Sequence, residues 1–100
     1  MANHSVYIGV DVGTGSVRTA FFSEQGDYLL GTSKAITVHN PIPDIYEQSS
    51  TEIWSAVCWC ISEIAQTFKN KNDSHFKVCG IGFTATCSLV VIGPDNKGLK

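Results

Sequence analysis

Residues 6–22 read VYIGVDVGTGSVRTAFF, and this stretch decides the fold of the N-terminal half of the chain. From Val6 to Val12, apolar side chains alternate with other residues at the period of a β-strand. A second strand is predicted from Val17 to Phe22, after only the short Gly-rich segment Gly13–Ser16. Two strands joined by so few residues, with Gly at two of them, predict a β-hairpin.

The strand pattern continues beyond the hairpin and then stops. Residues 24–27 form a predicted turn into a third strand, about Tyr28 to Ile36. Prolines at 41 and 43 predict that residues 40–44 break any regular element, because proline cannot donate to a β-ladder.

A helix and a fourth strand follow. Ser49, with Glu52 three residues later, has the form of a capping box and predicts a helix from about Ser50 to Lys69. Apolar residues recur at helical spacing along it. The apolar run Val78 to Thr84 predicts a buried fourth strand, and residues 89–92 predict a further short one.

These elements predict an α/β fold with a mixed β-sheet in β-β-β-α-β order. A right-handed crossover through the helix would bring the fourth strand parallel to the first. The helix covers one face only, so the other face of the sheet has no cover within residues 1–100. Because such a face is normally covered, we expect an incomplete domain, either a fragment or an incomplete gene product.

Composition excludes several functional classes. The 100 residues are 43% hydrophobic and 16% charged, with a net charge of −2, which argues against a nucleic-acid-binding face. No apolar run is long enough to span a bilayer, and the start lacks the pattern of a secretory signal. The expected location is therefore the cytoplasm, with neither nucleic acid nor membrane as a partner.

The four cysteines are not spaced as a zinc site or a disulfide framework. We expect reduced, buried thiols at all four positions, since free cysteine is among the most buried residue types. They are Cys58, Cys60, Cys79 and Cys87.

The hairpin turn has the residue types of an anion site. Gly13 and Gly15 allow close approach of the backbone and let successive N–H groups converge on an anion. Thr14 and Ser16 add hydroxyl groups, Asp11 has the chemistry to hold magnesium, and Arg18 could balance phosphate charge. A plain hairpin turn that needs glycine for its dihedral angles explains the same pattern, and residue types alone leave both interpretations open.

Three stretches together resemble the FGGY carbohydrate kinases, which have ribonuclease-H-like folds of the actin-like ATPase superfamily. They are IGVDVGTGSVR at 8–18, YEQSS at 46–50 and GFTATCSLVV at 82–91. The resemblance covers nearly the whole chain and is strongest with the branch that acts on pentuloses such as ribulose. It implies that residues 1–100 are the N-terminal part of the first kinase lobe, truncated before the second phosphate motif.

The resemblance also implies roles for individual residues. Asp11 would place the magnesium ion of Mg-ATP, the turn Gly13–Ser16 would face the β- and γ-phosphates, and Arg18 would reach the phosphoryl group in transfer. Thr84, Thr86 and Cys87 would contact the sugar, and a strand end with small buried residues explains Thr86 and Cys87 equally well. Thr84 departs from the acidic residue expected there. Glu47 and Gln48 resemble a Glu-Gln element of the family, and we expect them to fix the local loop.

The implied activity of the full-length protein is ATP-dependent phosphorylation of a ketopentose or related polyol, with the catalytic base downstream of residue 100. The alternative is a truncated, non-catalytic binding module, because an exposed apolar face invites association with a partner or a homo-oligomer. Another superfamily member, such as an actin-like ATPase or a chaperone nucleotide domain, is less consistent with residues 82–89.

Overall fold

A computed structural model describes residues 4–72 and 75–86 of the chain. The elements follow one another as β1 His4–Val12, β2 Ser16–Ser23, β3 Tyr28–Ala35, β4 His39–Ile42, β5 Ile45–Glu47, α1 Ser50–Asn72 and β6 Phe76–Ala85.

The main sheet has four strands in the order β3-β2-β1-β6. Strand β1 pairs antiparallel with β2 and parallel with β6, so the sheet is mixed. The chain passes from β3 at one edge through α1 to β6 at the other edge. The predicted mixed sheet and the hairpin at its centre are confirmed. The prediction that the fourth strand is buried is wrong, because β6 lies at an edge of the sheet and most of its described residues are exposed.

Helix α1 begins where the capping box predicts. The Glu52 N–H donates to Ser49 Oγ at 3.2 Å, and the Ile53 N–H donates to the Ser49 carbonyl at 3.0 Å. The helix buries its apolar face against the sheet, in a core that contains Val6, Val17, Phe21, Ile64 and Phe68. No helix in the described part of the chain is long and apolar enough to cross a membrane.

The prediction that residues 40–44 break regular structure is wrong. Strands β4 and β5 form a separate two-stranded antiparallel sheet, with His39 opposite Glu47 and Ile42 opposite Ile45. Each strand of such a ribbon has an unpaired edge, where a missing proline N–H costs no ladder bond. Asn40 Nδ2 closes the ribbon by donating to the carbonyls of Ile42 at 2.8 Å and Ile45 at 2.6 Å.

The cysteines are only partly as predicted. The thiols of Cys58, Cys60 and Cys79 are free, but only Cys60 is buried. Cys58 lies two positions before Cys60 on α1, about 200° around the helix, so it points away from the core. Cys79 falls at the irregularity where the β1–β6 register shifts. Cys87 lies outside the described residues.

We expect the two helical cysteines to differ in reactivity. Cys60 has no exposed surface, and burial raises the pKa of its thiol, so little of it is present as the reactive thiolate at neutral pH. Cys58, by contrast, is exposed to the reagent. Iodoacetamide at neutral pH should therefore modify Cys58 in the native protein and leave Cys60 intact. Tandem mass spectrometry of the peptide that contains both cysteines measures the modification of each thiol. As a control, both thiols should react in urea. Equal labelling of the two thiols in the native protein would contradict the burial of Cys60.

Candidate functional site

The turn between β1 and β2 is closed by short backbone hydrogen bonds. The Gly13 N–H donates to the Ser16 carbonyl at 2.9 Å, and the Ile36 N–H donates to the Gly15 carbonyl at 3.0 Å. Thr14 and Gly15 are exposed at the tip. Because the Gly13 N–H is used inside the turn, an anion would have to meet the amides of Thr14 and Gly15 instead.

At Gly13, though not at Gly15, the preference for glycine is steric. A Cβ on Gly13 would lie 3.2 Å from the Ser16 carbonyl oxygen, so the closed turn favours glycine there. A Cβ on Gly15 would meet nothing within 4 Å. Gly26, with φ of 89°, is the one glycine of the described residues in the left-handed region, so dihedral freedom does not explain Gly13 or Gly15.

Strand register brings three of the predicted site residues into one row. Asp11 on β1 lies opposite Arg18 on β2 and opposite Thr84 on β6. All three are exposed. Side chains alternate along a strand, and the neighbours Val10 and Val17 are buried under α1, so this row lies on the sheet face away from the helix.

The row borders a groove of about 630 Å³ that runs over the open face of the sheet. Small residues in register form its floor, namely Gly9, Ala20, Gly31 and Gly82. The rings of Phe22 and Tyr28 line it on the other side, with their centroids 6.0 Å apart. The groove therefore has a polar border at Asp11 and Arg18 and an aromatic border opposite.

The end of β6 joins the turn. The Thr86 N–H donates to the Val12 carbonyl at 3.1 Å, which brings Thr86 beside the start of the turn although the two are far apart in sequence. The predicted phosphate-side residues Asp11, Gly13–Ser16 and Arg18 thus lie near the predicted sugar-side residues Thr84 and Thr86. Cys87 lies outside the described residues.

The donor set limits what metal this region can hold. Within residues 4–72 and 75–86, no group of three or more His, Cys, Asp or Glu side chains could bind a metal ion. Asp11 supplies the carboxylate of the row. Magnesium is commonly held by one or two carboxylates together with substrate phosphates and water. The residues therefore fit a magnesium ion that arrives with a phosphate ligand, and they do not form a metal cage.

Sequence reasoning missed the partner of Gln48. Its Nε2 donates to the Thr14 carbonyl at 2.6 Å, across 34 positions of sequence. We expected Gln48 to fix its own loop, and it instead contacts the tip of the β1–β2 turn. No local sequence pattern predicts such a contact. The position of Gln48 directly before the helix cap Ser49 was the one local indication that its backbone is fixed.

Residues 6–99 match the N-terminal domain of the FGGY family of carbohydrate kinases. The chain belongs to this family. Over 95 residues it is 48% identical to an FGGY carbohydrate kinase domain-containing protein of Danio rerio, covering 93% of this chain and 16% of that protein. Over 90 residues it is 42% identical to a D-ribulokinase of Saccharomyces cerevisiae, covering 90% of this chain and 12% of that protein.

The fold is similar to that of solved gluconate, xylulose and glycerol kinases. The structure of Plasmodium falciparum glycerol kinase with ADP superposes with a TM-score of 0.89 at 20% identity, covering 100% of this chain and 20% of that one. The predicted α/β fold with a mixed sheet is therefore confirmed. This FGGY chain spans about a sixth of the length of the Danio rerio relative.

Two glycine substitutions separate the packing of the groove from the shape of the turn. A Cβ on Gly31 would lie 2.7 Å from the Tyr28 hydroxyl and 2.9 Å from the Thr19 carbonyl oxygen, which cannot move aside cheaply. We expect Gly31→Ala to lower the free energy of unfolding by about 1–3 kcal/mol. The matched Gly15→Ala should leave it unchanged or raise it by up to about 1 kcal/mol, because the site is open.

Chemical denaturation of the full-length variants measures both values. Equal destabilisation by the two substitutions would contradict the described packing of Tyr28 over Gly31.

Proposed function

We propose that the full-length protein transfers the γ-phosphoryl group of ATP to a hydroxyl group of a sugar. The observation that carries the proposal is the row of Asp11, Arg18 and Thr84 beside the glycine turn, in a chain of the FGGY family. A carboxylate, a guanidinium and a hydroxyl converge there from three strands. Phosphoryl transfer depends mainly on positioning and charge stabilisation, which this set of groups can supply.

The phosphate side of the proposed site is the turn. The exposed tip at Thr14 and Gly15 offers backbone amides and a hydroxyl to the β- and γ-phosphates. Ser16 follows at the start of β2. Arg18 is exposed on the open face and has a planar fork of donors that matches phosphate oxygens.

Asp11 is the proposed magnesium-binding residue of this chain. Its carboxylate is exposed at the end of β1, beside the turn that would hold the phosphates. Magnesium bound with ATP neutralises phosphate charge during transfer. Asp11 contributes by holding the ion on the same side of the sheet as Arg18.

The sugar side of the proposed site is the end of β6, with Thr84, Thr86 and Cys87 as its residues. We propose a ketopentose such as ribulose as the substrate. The 42% identity to the yeast D-ribulokinase supports this choice. The catalytic base is expected outside residues 1–100.

An assay of ADP release with ribulose, xylulose, ribitol and glycerol tests the proposal on the full-length protein. We expect sugar-dependent turnover, with ribulose preferred. Asp11→Asn keeps the shape and removes the charge, so kcat/KM should fall about 100-fold or more. Asp44→Asn, in the exposed loop between β4 and β5, is the matched control and should leave kcat/KM within about twofold.

Two results would count against this function: a folded full-length protein that turns over none of the sugars, or equal activity in the Asp11→Asn and Asp44→Asn variants.

Thr84 should tune the choice of sugar. A hydrogen bond from a sugar hydroxyl to a carboxylate is stronger than one to a hydroxyl. We therefore expect Thr84→Asp to raise kcat/KM for the preferred sugar about tenfold and to change the ranking of the panel. Ser55→Asp, on the exposed side of α1, adds the same charge elsewhere and serves as control. An unchanged ranking would exclude Thr84 from the sugar site.

A further inference from the structure

Two separate parts of the chain hold the tip of the β1–β2 turn by its carbonyls. Gln48 Nε2 donates to the Thr14 carbonyl at 2.6 Å, and the Ile36 N–H donates to the Gly15 carbonyl at 3.0 Å. Gln48 is half-buried and Ile36 is buried. The Ile36 contact therefore ties the exposed turn to a residue of the buried core, and the Gln48 contact ties it to the residue that precedes the helix cap.

The two anchors are themselves joined. Thr37, next to Ile36, donates from its N–H to Glu52 Oε1 and from its Oγ1 to Glu52 Oε2, each at 3.0 Å. Glu52 lies in the first turn of α1, and its own N–H donates to Ser49 Oγ, the cap that directly follows Gln48. The contacts close a ring that passes from the turn to the start of α1, to the exit of β3 and back to the turn.

We infer that Gln48 is a positioning residue of the proposed phosphate turn, which it couples to the N-terminus of α1. The inference rests on the proposed function, because it concerns how the same turn is held for binding phosphate. By fixing the Thr14 carbonyl, Gln48 sets the direction in which the following Gly15 amide points. Small displacements of the groups that bind a substrate can lower the rate of catalysis substantially. Gln48 would therefore affect catalysis indirectly, through the backbone of Thr14.

The role of Gln48 differs from that of a general stabilising contact. A glutamine amide on the surface of α1 also makes a hydrogen bond, from Gln66 Nε2 to Asn70 Oδ1 at 3.2 Å, with no connection to the turn. The chain therefore contains a matched control for loss of one glutamine hydrogen bond.

The test compares Gln48→Ala, Gln48→Glu and Gln66→Ala in the full-length protein. Gln48→Glu keeps the size of the side chain but presents a carboxylate oxygen to the Thr14 carbonyl, where no donor remains. We expect both Gln48 variants to lower kcat/KM for ATP about tenfold or more, with KM for the sugar changed less than about twofold. Gln66→Ala should change neither.

Amide hydrogen exchange gives a readout that does not depend on turnover. Peptides covering residues 12–18 should exchange faster in the Gln48 variants than in the wild type, and peptides in the C-terminal half of α1 should not. If Gln48→Ala does not fold, the isosteric Gln48→Glu decides alone.

Failure of the function and failure of the inference give different results. If the wild type phosphorylates no sugar but the turn exchanges faster in Gln48→Glu, the proposed function fails and the positioning contact stands. Unchanged exchange at the turn overturns the inference, as does an ATP kcat/KM within about twofold of wild type in an active enzyme. An equal loss in Gln66→Ala would also overturn it.

Discussion

Strand β1 is hydrogen-bonded on both sides, antiparallel to β2 and parallel to β6, and the rest of the structure depends on this double pairing. Val6, Ile8 and Val10 point into the core under α1, which fixes the register of the strand. The alternate residues must then face the other way. As a result, burial of three aliphatic side chains sets the direction of Asp11, which is itself exposed.

The same pairing explains why the site residues meet. Parallel strands end at the same edge of a sheet, so the ends of β1 and β6 lie side by side. The antiparallel return of β2 adds Arg18 to the same row. In the groove beside this row, aromatic side chains from β2 and β3 lie close to two of the small floor residues, Gly9 and Gly31. A Cβ on Gly9 would approach the Phe22 ring to 3.2 Å.

Much of this arrangement could be predicted from local patterns. The hairpin at Gly13–Ser16, the cap at Ser49 and the apolar face of α1 each follow from residues close together in sequence. The β4–β5 ribbon was not predictable in this way. Prolines at 41 and 43 argue against a strand. A strand is tolerated here only because it pairs in a two-stranded ribbon with a free edge, where the Asn40 side chain also bridges two carbonyls. The exposure of Cys79 was missed for a similar reason, since Cys79 lies at a shift in strand register. The exposure of Cys58 follows from its spacing to Cys60 on the helix and could have been predicted.

By itself, the sequence determined the order of the main-sheet strands and the helix, the glycine turn and membership of the FGGY family, because these rest on short-range periodicity and on contiguous motifs. The tertiary structure alone decided which residues face one another. It brought Thr84 opposite Asp11, used the Gly13 N–H inside the turn and joined Gln48 to the Thr14 carbonyl. These contacts link positions far apart in the chain, and their geometry is set by strand register and helix packing, which no local stretch of residues encodes.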